Sequence, residues 1–160
     1  MLEDYVFVKT IVPIELCQRI EEKLKSHVEI EKEEITKIKE YVEQFYVDYC
    51  QYLFRQNKNT PNILSLSEVS FDYLEEGMSL KKELIYKPSF EKNNRSDFQV
   101  LSFIGVFNEE YSGGEITLLD DKKISLCTGS ILVFPSNFMF KYKMNAVKTA
   151  GLCSFNCFGY

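Results

Sequence analysis

The chain has 160 residues, 45% of them hydrophobic and 14% aromatic, with a formal net charge of −5 and an isoelectric point near 5.1. That length and apolar content support one domain with a sizeable core and exclude a disordered chain. Acidic and basic residues are interspersed and the balance is acidic, which excludes a dedicated nucleic-acid binder. The five cysteines, Cys17, Cys50, Cys127, Cys153 and Cys157, are odd in number and form no Cys-x-x-Cys pair. They read as reduced thiols in a cytoplasmic setting. No charged start followed by an apolar run marks a signal peptide. No apolar run is long enough to span a bilayer, so neither nucleic acid nor membrane is an expected partner.

In chain order, residues 5–11 are β-prone and lead to Pro13, which suits the first turn of a helix because its missing N–H costs nothing there. Ile14, Cys17, Ile20 and Leu24 recur at helical spacing and predict a first helix ending near His27. A second helix is predicted over residues 32–56 from Ile35, Ile38, Val42, Phe45, Tyr49 and Tyr52. Glu33 and Lys37 sit one turn apart in the favourable order for an ion pair. Broad apolar stripes normally face a core, so this face is expected to pack on a β-sheet. Residues 57–61 then read as a stop and turn.

Beyond Pro61 the texture changes to short apolar or alternating runs: 63–74, 99–108, 115–119, 124–127, 131–134, 138–144 and 149–158. Turn residues separate them, including a hairpin tip at Asp120-Asp121-Lys122-Lys123, and residues 87–97 read as a polar loop. Many short strands at close spacing predict an antiparallel sandwich or barrel. The fold class expected is α+β. A helical part, 1–60, packs on one sheet of a jelly-roll β-sandwich, 61–160, all within one domain.

Two motifs stand out within the β half. Gln99-Val-Leu-Ser-Phe-Ile-Gly-Val-Phe-Asn108 is followed by the turn Glu109-Glu-Tyr111-Ser-Gly113-Gly114-Glu115, and later comes Gly129-Ser-Ile-Leu-Val-Phe-Pro135-Ser136. Gly113 and Gly114 can take positive φ in a tight connection, Gly129 suits a similar turn, and Pro135 ends a strand because it cannot donate to a ladder. In order and spacing these segments, with Val147, Gly151 and the entry helix from Val12, resemble the prolyl 4-hydroxylase-like branch of the iron- and 2-oxoglutarate-dependent dioxygenases. The resemblance covers most of the chain and implies a double-stranded β-helix.

The same resemblance implies an iron centre of two histidines and a carboxylate, and an arginine for the co-substrate. This chain departs from that set. It has one histidine, His27, in the first helix. The family's His-x-Asp pair, counted from Gly77, falls on Glu83 and Ile85, and its distal histidine on Tyr142. The co-substrate's arginine falls on Leu152 and an earlier family arginine on Gln99. A neutral phenol is a poor iron(II) ligand, and leucine cannot neutralise a carboxylate as a guanidinium does. Strand alternation places Phe138, Phe140, Tyr142 and Met144 on one face, Lys141 and Lys143 on the other, so the site is expected to be closed by apolar packing with no metal and no cofactor.

The remaining candidates have plainer readings. His27 reads as a helix-terminal charge and Cys153 with Cys157 as buried thiols on one strand face. The function expected is that of a non-catalytic dioxygenase-fold module, structural or protein-binding, in a larger assembly such as a bacteriophage neck or tail. Its partners would be other protein subunits and its location the cytoplasm or a virion. The candidate contact surfaces are the aromatic end of the second helix, Tyr46, Tyr49, Tyr52 and Phe54, and the loop 87–97. The rival reading is an active hydroxylase, 2-oxoglutarate-dependent or otherwise remodelled, with an acid site around Glu83, Asp97 or Glu115. A polar, open pocket favours that rival, and a packed one the module.

Overall fold

The computed structural model describes residues 1–78, 99–149 and 151–160. A short 3-10 turn, Leu2–Tyr5, opens the chain. It is followed by β1 (Phe7–Thr10), α1 (Ile14–Lys25), α2 (Lys32–Arg55), β2 (Ser70–Leu74) and β3 (Leu101–Val106). The order continues with β4 (Ile116–Leu118), β5 (Lys122–Ile124), β6 (Ser130–Pro135), β7 (Tyr142–Met144) and β8 (Leu152–Gly159). Five strands form a large antiparallel sheet in the order β1-β6-β3-β8-β2, and three form a small one in the order β5-β4-β7. This is the α+β jelly-roll arrangement expected from the sequence. The glutamate and isoleucine at 83 and 85, Asp97 and the loop 87–97 lie outside the described residues.

Strand alternation splits the interior into two cores. On one face of the large sheet, Leu101, Phe103, Ile131, Val133, Cys153, Phe155 and Cys157 meet the helices. On the other, Ile104, Val106, Leu132, Phe134 and Leu152 meet Ile116, Leu118 and Met144 of the small sheet. The result is three layers, helices over sheet over sheet.

Helix α2 supplies the outer layer through Ile38, Val42, Phe45, Tyr49 and Leu53, all wholly buried at spacings of three and four. Each such side chain stabilises the fold by roughly 1.5–3 kcal/mol through removal of apolar surface from water. Phe45 meets Phe103 of β3 edge-on, and Tyr49 donates its hydroxyl proton to the Tyr5 carbonyl at 2.7 Å. The aromatic end of α2 is therefore mostly packing. Tyr46 donates to the Pro61 carbonyl, Tyr52 stacks on Phe7, and of the four candidate contact residues only Phe54 stands out, at 75% exposure.

The structure also corrects details of the reading. Ile14 is exposed, and α1 contributes Leu16, Cys17 and Ile20 to the core. Residues 63–69 hold no regular strand; one bridge joins Leu66 to Gly159. The fifth strand is Lys122–Ile124 and not 124–127, because the chain reverses earlier, at Leu119 and Asp120, both with positive φ.

An ionic cluster joins the helices. Glu34 is only 6% exposed; it accepts from Lys23 Nζ at 2.7 Å and from the Glu31 N–H at 3.3 Å, with Arg19 Nε at 3.9 Å. Burial alone would push its carboxyl up, but these partners outweigh it and hold the value below 4.5. Lys23 is raised, chiefly by the bond to Glu34. A carboxyl depressed in the folded state contributes stability in full above its unfolded value and loses it as pH falls through its folded value. Thermal melts are accordingly expected to fall below about pH 4.5, more steeply in the wild type than in Glu34→Gln. Parallel profiles would contradict the assignment.

Candidate functional site

The Gly-Gly turn builds the rim of a pocket at one end of the barrel. Gly113 and Gly114 have φ of +77° and +68°, the left-handed region that glycine enters without strain. A Cβ on Gly113 would meet the Ala146 carbonyl at 2.5 Å and the Lys148 nitrogen at 2.7 Å, so the turn lies directly against the connection from β7 to β8. Lys148 N–H donates to the Ser112 carbonyl and Asn145 N–H to the Glu115 carbonyl.

Between this turn, the small sheet and the start of β8 lies a cavity of about 250 Å³. Its floor is apolar and buried: Val106, Ile116, Leu126, Met144 and Leu152. Its rim is polar: Glu109, Tyr111, Ser112, Glu115 and Ser125. The Glu109 carboxylate accepts from the Thr128 N–H at 2.8 Å, and Glu115 accepts from Asn145 Nδ2 at 3.4 Å. Backbone donation and the Asn145 bond hold the Glu115 carboxyl low. Burial, then the charges of Glu115 and Glu109, push the Tyr111 phenol up.

Asn108 fixes the start of β8 that carries Leu152. It is buried, donates to the Gly151 carbonyl and to Glu21, and accepts from the Cys153 N–H at 3.0 Å. Both the nitrogen and the oxygen of this amide are engaged, which locks the chain where the pocket floor begins.

The sequence-derived positions come out unevenly. Tyr111, Gly113, Gly114 and Glu115 form the rim as a unit. Gly129 takes φ +80° ahead of β6, and Pro135 ends that strand. Tyr142 is half-buried, its ring 5.4 Å from Phe134, and burial together with the charge of Asp72 pushes its phenol up. Leu152 is wholly buried and lines the cavity. Gln99 is half-buried just ahead of β3. Phe140 and Met144 are buried as expected, but Phe138 is exposed in a turn and does not fill the interior. Tyr142 thus packs with Phe134, Phe140 and Met144, while an open space with a polar rim adjoins Leu152.

Sequence reasoning missed the polar groups on the inner face of the large sheet. Asn156 Nδ2 donates to Asp72 at 3.2 Å, and the Ser154 hydroxyl, in a residue 1% exposed, has no partner among the described residues. The signal was present in β8, where Ser154 and Asn156 interrupt Cys153, Phe155 and Cys157 at every second position.

The donor set does not fit a two-histidine iron centre. His27 is exposed beyond the end of α1, its ring 6.2 Å from that of Tyr73. Tyr142 offers a neutral phenol, and among the described residues no three His, Cys, Asp or Glu side chains come together. Cys153 and Cys157 lie on the helix side of the sheet, and burial pushes both thiols up to about 12, as structural thiols.

No family model matches the sequence, and no curated protein matches it. The structure, however, is similar to solved prolyl hydroxylases. One is a viral collagen prolyl hydroxylase from Paramecium Bursaria Chlorella virus-1, with TM-score 0.67 and 13% identity over 96% of this chain and 88% of that one. Another is a prolyl-4-hydroxylase from Pseudomonas putida, with TM-score 0.66 and 12% identity over 97% and 91%. A third is a prolyl hydroxylase from Trichoplax adhaerens, in complex with a hypoxia inducible factor peptide fragment, with TM-score 0.67 and 14% identity over 98% and 84%. The chain has the fold of these prolyl hydroxylases. The expectation that it is not an enzyme is overturned by these matches, each of which is a prolyl hydroxylase aligned over nearly the whole chain.

Proposed function

We propose that this chain binds polypeptide through the pocket at the end of its barrel. The observation that carries this reading is the open, polar-rimmed cavity beside Leu152, where the motif spacing puts the co-substrate's arginine. Two of the fold neighbours support it, since one is a collagen hydroxylase and another holds a peptide fragment. A photo-crosslinking residue at Tyr111 tests it, with the same residue at Lys37, exposed on α2, as control. Capture of a discrete polypeptide from the source lysate at the rim alone is the expected result. Equal capture at both positions, or none at the rim, would reject the reading.

A remodelled enzyme is the second reading, favoured by Tyr111 and Glu115, which share the rim of the cavity. A phenol held protonated beside a carboxylate held ionised is an arrangement suited to acid and base roles. Succinate release from 2-oxoglutarate with iron and a proline-containing peptide addresses the hydroxylase form of this reading. Turnover that disappears in both Tyr111→Phe and Glu115→Gln supports it, and turnover indifferent to both counts against it.

A further inference from the structure

We infer that the pocket beside Leu152 selects an apolar group carrying an adjacent positive charge, and rejects the dicarboxylate that the family pattern would place there. In a polypeptide this is an apolar side chain flanked by a basic residue. The inference rests on the reading of this cavity as the working site and specifies what fills it.

The wall chemistry decides the sign. Glu109 and Glu115 bring two carboxylates to the rim, and among the described residues no lysine or arginine lines the cavity. Lys123 and Lys148 act on Glu115, yet neither is a lining residue. At the position where a guanidinium would neutralise an incoming carboxylate stands Leu152, wholly buried. A dianion would have to shed water against hydrocarbon, facing two like charges.

The depth profile decides the shape. Val106, Met144 and Leu152 lie at the buried floor, while Glu109 is exposed and Glu115 half-exposed. An alkyl tail removed from water at the floor leaves its cationic head level with the acids. A buried ammonium would gain nothing there, so the charge stays at the mouth.

Hexylammonium and hexanoate share one tail, so the apolar contribution cancels in their comparison and the ratio of affinities reads the rim charge. Titration calorimetry on the intact chain is expected to give hexylammonium roughly tenfold tighter binding than hexanoate at low salt, with 2-oxoglutarate showing no heat of binding. In the double variant Glu109→Gln with Glu115→Gln, which keeps acceptors for Thr128 and Asn145, the ratio should approach one. Equal or tighter binding of hexanoate, no binding of either, or a ratio unchanged in the variant would each overturn the inference. Polypeptide capture at Tyr111 that persists despite such a result would leave the broader proposal standing, so the two failures are distinguishable.

Discussion

Alanine at Gly105 is expected to destabilise the protein by about 3 kcal/mol, at the upper end of what overpacking a core costs. Gly105 sits in β3, paired with Ile131 of β6 on one side and Phe155 of β8 on the other. A Cβ there would meet three carbons of the Phe155 ring at 2.0, 2.4 and 2.8 Å. The ring lies over the glycine, is 1% exposed and packs beside Phe107 with centroids 5.3 Å apart, so it has little room to retreat. The central strand of the large sheet must shift, or the ring must leave its rotamer. Thermal melting should fall by roughly 6–12 °C for a domain of this size. Adding Phe155→Leu to Gly105→Ala should recover part of that loss, giving a favourable coupling in a double-mutant cycle. Purely additive losses would mean that the ring is not the obstacle.

Tyr49→Ala should cost a comparable amount or more, roughly 3–5 kcal/mol, because it removes a large buried aromatic from the C-terminal part of α2 and leaves a cavity. Tyr49 is wholly buried, stacks near Phe7 of β1, and fastens the opening turn through its bond to the Tyr5 carbonyl. Burial and the neighbouring groups push its phenol well above the usual range, so the hydroxyl stays a donor. Tyr49→Phe separates the two contributions: it keeps the ring and removes only the bond, at about 1 kcal/mol. Denaturant unfolding of the pair checks this, and an alanine variant no less stable than the phenylalanine one would remove Tyr49 from the core.

Helical parts were the most legible in the sequence, because apolar residues three and four apart can satisfy only a helix face. The end of α2 was placed within one residue of its observed position at Arg55. Strands β3 and β8 were legible as apolar runs, since both faces of the large sheet are covered. The Lys122–Ile124 strand was not, because its two lysines carry no apolar signal and its pairing comes from β4 alone. Within the site, the Tyr-x-Gly-Gly-Glu turn announced itself, and Leu152, singled out by spacing, is a buried residue of the cavity wall. The cavity did not announce itself. It forms where side chains from β3, β4, β5, β7, β8 and two connections fail to meet, and no single segment encodes a gap.

A crystal structure of the chain with hexylammonium, and a second with 2-oxoglutarate, test the central claim most directly. The account expects the alkyl tail against Val106, Met144 and Leu152 with its ammonium beside Glu115, and no 2-oxoglutarate in the cavity. A cavity filled by Leu152 and Met144 themselves, or one holding the dicarboxylate, would contradict it.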